Sequence, residues 1–285
     1  MNGLLKLRKE LNKLVNPQKA KVLQRFFKTG KGEYGEGDVF LGITVPESRK
    51  ISIKFKTLSF LETTQLLKSK IHEERLIALL ILVNNFSHFA KAPRDKQEKI
   101  YNFYLKNTKY INNWDLVDLS ADKIVGGFLF HYLGSTHSLN NSSEPSGNTS
   151  LTYENKSKSP AAKLYKHGLR ETVKRSFREE SHPSILLKLA SSKNIWERRI
   201  AMVATYYFIK NKKFDATLKI AEILLNDKHD LIQKAVGWML REVGKRDLQT
   251  EIKFLDQHYK KMPRTILRYS IEKFPKKLRL DFLTR

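Results

Sequence analysis

The 285-residue chain predicts an all-α fold in which antiparallel helix pairs stack into a solenoid. Three observations predict it. Apolar residues recur at helical spacing almost everywhere, strand-type alternation is scarce, and breaks fall often enough that each interval holds one or two helices. LIALLILVNNF (76–86) and NIWERRIAMVATYYFI (194–209) space their apolar residues as helices buried along a broad face do. DATLKIAEILL (215–225) and LIQKAVGWMLREV (231–243) repeat the pattern. The breaks are Asn16-Pro17, Gly30 to Gly37, Pro46, Pro93, His182-Pro183, Asn226-Asp227 and Pro263. The intervals are not similar enough in sequence to establish a repeat, so a compact irregular bundle stays open beside the solenoid. VFLGITV (39–45), the nearest approach to a strand, reads as a connector.

The chain reads as a single domain over 1–285. One segment departs from the helical rhythm. Residues 135–160, STHSLNNSSEPSGNTSLTYENKSKSP, are rich in Ser, Asn, Gly and Pro and read as a flexible surface insertion between two helices. A shorter glycine-rich stretch, GKGEYGEGDVF (30–40), lacks the lysine-serine ending of a nucleotide-binding loop.

Composition narrows the function classes. Lysine plus arginine number 54 against 29 acidic residues, a formal excess of +25. Charge of that size points to a polyanionic partner, nucleic acid first, with an anionic membrane surface as the alternative. There is no cysteine, which excludes disulfides, thiolate nucleophiles and cysteine metal sites. No apolar run approaches the length of a membrane span. The basic N-terminus lacks the compact apolar core of a secretory signal, so a cytoplasmic protein (nucleoid-associated if bacterial) is expected.

Three clusters could carry chemistry. In YINNWDLVDLSADKIVGG (110–127), a spacing of four puts Trp114 and Asp118 on one helix face, and Asp115 points elsewhere, free to cap or pair locally. In SKNIWERRIAMVATYYFI (192–209), Asn194 and Glu197 form a capping-box pattern. Arg198 and Arg199 follow, about 100° apart around the helix, so one can face solvent while the other turns to a groove. In DKHDLIQKAVGWMLREVGKRD (227–247), Lys234, Trp238 and Arg241 share a face, an aromatic between two cations suited to a phosphate backbone. Gly237 would let a neighbour approach that helix closely. Each cluster alone also fits a core edge with solvated or snorkelling charges. His72-Glu73-Glu74 formally matches the start of an iron facial triad, but no third ligand follows.

Together, INNWDLVD, NIWERR and LIQKAVGWMLRE resemble the AlkD-type DNA alkylation repair glycosylases, over about residues 40 to 275. The resemblance implies a right-handed superhelix of HEAT-like repeats with a basic concave face. It implies catalytic roles for Trp114 and Asp118, a cleft arginine at Arg199 and a second cleft tryptophan at Trp238. Lys234, Arg241 and Arg198 become candidate DNA-binding cations. The implied reaction is hydrolysis of the N-glycosidic bond of cationic N3- or N7-alkylated purines in double-stranded DNA. It would be monofunctional, with an abasic site as product. No cofactor or metal is expected, and the protein is expected to act as a monomer. The alternative is a DNA- or RNA-binding helical module without catalysis, which would have no use for Asp118 in the groove.

Overall fold

The computed structural model describes residues 3–88, 94–131 and 183–285, and the insertion expected at 135–160 lies outside them. Every named element among the described residues is helical. The first half holds α1 (Gly3–Asn12), α2 (Pro17–Phe26), α3 (Val45–Lys54), α4 (Phe60–Leu67), α5 (His72–His88), α6 (Arg94–Lys106) and α7 (Trp114–Asp118). The second half holds α8 (Pro183–Ala190), α9 (Ile195–Ala204), α10 (Tyr206–Lys210), α11 (Asp215–Ile223), α12 (Asp230–Gly244), α13 (Leu248–His258), α14 (Arg264–Ser270) and α15 (Lys276–Thr284).

The helix starts follow from local chemistry. Asn16 caps α2 by accepting from the Lys19 N–H, with Pro17 in the first turn where its missing donor costs nothing. Thr44 and Glu47 close a full capping box on α3, as do Ser59 and Glu62 on α4. At α9 the expected box is only half present. Asn194 accepts from the Trp196 N–H, but Glu197 instead receives bonds from the hydroxyls of Thr108 (2.7 Å) and Ser192 (2.6 Å). A short glutamate that can reach two hydroxyls does not reach back to its own cap, and here it ties α9 to the segment before α7. Segment 39–45 is the connector expected: it makes one isolated parallel bridge, Val39 to Ile71.

Packing sets the helices side by side. Helix α5 packs on α3 and α4 and touches α7, α7 packs on α9, α9 on α12, and α12 on α13 and α14. One continuous apolar core runs through this row, from Leu4 and Leu7 through Leu80, Val117 and Met202 to Leu240 and Phe282. Helix α7 continues, after three residues, into a π-helical turn, Asp122–Gly126, that packs against α5, α9 and α10. A Cβ on Gly126 would lie 2.1 Å from the Ala204 carbonyl oxygen, so the glycine permits that contact.

Gly237 does allow a close approach, but the neighbour is the chain itself. A Cβ there would sit 2.5 Å from the Cβ of Tyr269 and 2.7 Å from the Ile266 carbonyl oxygen, both on α14. Gly237→Ala gains up to about 1 kcal/mol of helix propensity but forces α12 and α14 apart, an overpacking cost of about 1–3 kcal/mol. Net destabilisation is expected as a lower urea midpoint. An unchanged or higher midpoint would show that the two helices can separate freely.

Candidate active site

Three consecutive members of the row deliver the three sequence clusters. Helix α7 brings Trp114 and Asp118, α9 brings Arg199, and α12 brings Trp238. Asn113 caps α7 by accepting from the Trp114 N–H at 2.8 Å, which sets where the helix, and hence the tryptophan, begins. One turn later Asp118 meets Arg199 in a bidentate pair: Nε to Oδ1 at 2.9 Å and Nη2 to Oδ2 at 2.8 Å. The Arg199 side chain is 7% exposed and that of Asp118 17%, so the carboxylate is the more open partner. The third guanidinium nitrogen, Nη1, donates to the Leu231 carbonyl at the start of α12. All three nitrogens of Arg199 are thereby engaged inside the protein. Arg199 orients a carboxylate; it does not offer a free fork to a phosphate.

Trp114 is held from several sides. One face stacks on Phe27 (ring centres 5.1 Å apart, planes 16° apart), and Phe26 meets it edge-on at 5.8 Å. Trp114 and Asp118 border a cleft of about 610 Å³ whose walls are mostly apolar, among them Val22, Phe26, Phe40, Ile43 and Pro46. Thr44 lies on the same wall and Lys19 lines it too. The backbone at 41–43 is fixed by the Glu73 carboxylate, which accepts from the N–H groups of Leu41, Gly42 and Ile43 at 2.9–3.2 Å. Trp238 is half-buried and tilts against Tyr206 at 6.0 Å.

The family model of the DNA alkylation repair enzymes matches residues 7–142 and 161–274. The chain belongs to the DNA alkylation repair enzyme family. A solved structure titled a predicted DNA alkylation repair enzyme from Enterococcus faecalis superposes with a TM-score of 0.59 at 17% identity. It covers 92% of this chain and 97% of its own, a likeness of fold. Among curated proteins, none matches.

The cations expected around the site of this alkylation repair family member are placed differently from one another. Lys234 is partly exposed and pairs with Asp230 one turn away at 2.6 Å. Arg241 pairs with Glu272 and is mostly covered. Arg198 is committed elsewhere: its Nε donates to Asp227 at 2.6 Å and its Nη1 to the carbonyls of Ser192 and Lys193. It clamps the turn before α9 to the turn before α12. The 100° separation of the two arginines does send them apart, but neither is left pointing into open solvent.

Electrostatics distinguish the carboxylates. Burial raises the Asp118 carboxyl above its ordinary value; the Arg199 charge and hydrogen bonds oppose that rise, and the nearby charges of Asp115 and Asp122 add to it. Removing Arg199 would leave a buried carboxylate unpaired. Arg199→Ala is therefore expected to cost about 3–5 kcal/mol in chemical denaturation, and a loss under about 1 kcal/mol would mean that the pair behaves as a surface one.

Sequence reasoning missed a second polar cluster directly behind Trp114. His72 sits with Nε2 2.8 Å from Asp115 Oδ2 and Nδ1 3.3 Å from Asp38 Oδ2. Asp38 also receives Arg75 at 2.5 Å and Asn113 Nδ2 at 3.4 Å. The triad pattern at 72–74 is dispersed: Glu73 binds backbone and Glu74 pairs with Arg8 at 2.8 Å. Tyr34 was missed too. It stands edge-on to Trp196 at 6.1 Å, faces the Trp114 indole, and is raised by burial.

Burial pushes the His72 imidazole down, but the charge and hydrogen bond of Asp115 and the bond to Asp38 overcome it and raise the ring to about 8. Burial would likewise raise Asp38, yet the His72 bond and the Arg75 charge hold it below its ordinary value. A histidine raised in the fold stabilises fully below its unfolded value near 6.5 and stops doing so as pH passes about 8. That difference is worth about 2 kcal/mol. Asp115→Asn removes the charge responsible. Its stability deficit against wild type is expected to shrink by about 2 kcal/mol between about pH 6 and about pH 9, and a deficit that stays constant would show that His72 does not titrate in that range.

Proposed function

We propose that the protein is a monofunctional DNA glycosylase that hydrolyses the N-glycosidic bond of cationic N3- or N7-alkylated purines in duplex DNA and leaves an abasic site. The observation that carries this reading is the largely buried Asp118 carboxylate, gripped in two-point fashion by Arg199 and set one helical turn from Trp114 in the lining of the cleft. A purely binding module has no use for an acidic group in that position, because it would repel phosphates.

The chemistry fits the residues. An alkylated purine of this kind already carries positive charge, so it departs as a neutral base and needs no general acid. As the C1′–N bond breaks, its electrons pass to the base and the deoxyribose becomes an oxocarbenium-like cation. A single carboxylate can stabilise that cation and orient the water that attacks C1′, where ordinary glycoside hydrolysis wants two. Asp118 takes this role. The Trp114 face and the Trp238 ring present negative quadrupole to the sugar and the cationic base. Arg199 keeps Asp118 ionised and aimed against the burial that raises it. Lys234 and Arg241 contact the DNA backbone once Asp230 and Glu272 yield them to phosphate, and Arg198 braces the turns beneath.

In this reading the helix row is a right-handed HEAT-like superhelix in one domain, its concave face basic. The +25 charge supplies a salt-dependent, sequence-independent share of affinity. The protein acts as a monomer in the cytoplasm without metal or cofactor.

The test is release of free 3- or 7-methylpurine from methylated duplex DNA. Wild type should release base. Asp118→Asn should bind DNA within about 2-fold of wild type and lose about 10²–10³ in rate, the usual worth of one preorganised electrostatic group. Excision by Asp118→Asn at the wild-type rate would overturn the assignment. Salt-sensitive binding with no release from wild type would leave the non-catalytic module in its place.

A further inference from the structure

His72 and Asp115 line the cleft beside Trp114 and Asp118, and the cluster around them joins α7 to the glycine-rich loop. Both ring nitrogens of His72 face carboxylates, Asp38 on one side and Asp115 on the other. A neutral imidazole has one donor and one acceptor, and a carboxylate can only accept. Donating to both carboxylates requires the doubly protonated ring; the neutral Nε2–H tautomer would keep Asp115 and could only accept at Nδ1, from the Arg75 Nη2. The side chain is 2% exposed, so neither contact is exchanged for water.

The two carboxylates belong to different parts of the site. Asp115 lies on α7 between Trp114 and Asp118, and its other oxygen accepts from the Leu116 N–H. Asp38 ends the glycine-rich loop that carries Tyr34. That loop is folded on itself: Glu33 accepts from the Gly30 N–H and Glu36 from the Gly32 N–H, both at 2.8 Å, and the Gly35 N–H donates to the Lys28 carbonyl. A ring column runs alongside. His72 stacks on Phe40 at 4.5 Å, Phe40 on Phe27 at 5.0 Å, and Phe27 on Trp114 at 5.1 Å.

We propose that His72 is a positioning residue: as an imidazolium it locks the glycine-rich loop to α7 and so fixes Trp114 and Asp118 for reaction. The proposal rests on the reading of those two residues as the catalytic pair. The charged groups facing the ring are Asp38 from the loop, Asp115 from α7 and Arg75 from its own helix, with the Arg75 Nη2 3.4 Å from Nδ1. Arg75 opposes the protonated ring and is itself held by Asp38. Loss of the His72 proton withdraws its donor from Asp38, leaves that carboxylate to Arg75 and Asn113, and weakens the tie between the loop and α7.

The experiment is the single-turnover rate of base release from methylated duplex DNA between about pH 6 and about pH 9, beside DNA affinity. For wild type the rate should fall about 10-fold from pH 7 to pH 9, as expected for a required proton lost near pH 8. His72→Gln should be about 10-fold slower at pH 7, nearly flat with pH, and within about 2-fold of wild type in affinity. A wild-type rate for His72→Gln, or the same alkaline fall, would overturn the proposal. Should that variant not fold, Asp38→Asn serves: it should move the alkaline fall to lower pH, and an unmoved profile counts against the lock.

Two readouts need no catalysis. Histidine NMR of the free protein should show one imidazole protonated at pH 7, and the tryptophan emission abolished by Trp114→Phe should change over the same range. A ring already neutral at pH 7, or emission indifferent to it, would sink the proposal. If wild type releases no base, the glycosylase reading fails, and these two signals decide the lock by themselves.

Discussion

The pairing of Asp118 with Arg199 is the constraint around which the site is organised. It bridges helices 81 residues apart in the chain, and the same guanidinium reaches a third helix through the Leu231 carbonyl. A carboxylate on a short helix would be mobile, or neutral if buried alone. Two parallel hydrogen bonds from a planar cation give it charge and direction together. Because the third nitrogen holds a backbone carbonyl, the aim of Asp118 depends on how α9 and α12 pack. Packing errors between those helices would therefore be felt at the carboxylate.

Much of this was legible in the sequence. The spacing of four between Trp114 and Asp118 and the helical periodicity of 194–209 and 231–243 led to the helices that carry the site. Asn194 and the Asn16-Pro17 break announced helix starts through short side chains that prefer caps. These signals are local, and local geometry is what sequence spacing encodes well.

What was not legible depends on groups far apart in the chain. Nothing near His72 signals that Asp38 and Asp115, 34 and 43 positions away, converge on its two nitrogens. The glycine-rich stretch looked like an incomplete phosphate cradle; its part is to place Tyr34 and Asp38 against the cleft wall. Gly237 advertised close approach correctly but could not say by what, and the answer was α14. Arg198 and Arg199 are equal in composition and opposite in task, because a carboxylate from a different partner segment meets each.

The π-helical turn at Asp122–Gly126 gives the site a further property. Such a turn accommodates one residue more than the regular helix would. It reconciles two demands on a continuous helical run: the front must show Trp114 and Asp118 to the cleft, and the rear must bury Ile124, Val125 and Phe128. One residue corresponds to about 100° of helical rotation. A single-codon deletion between 119 and 126 would satisfy the ordinary helix and turn one of those faces away from its station. A change of length here disturbs both faces at once, whereas a substitution disturbs only the contacts of its own side chain.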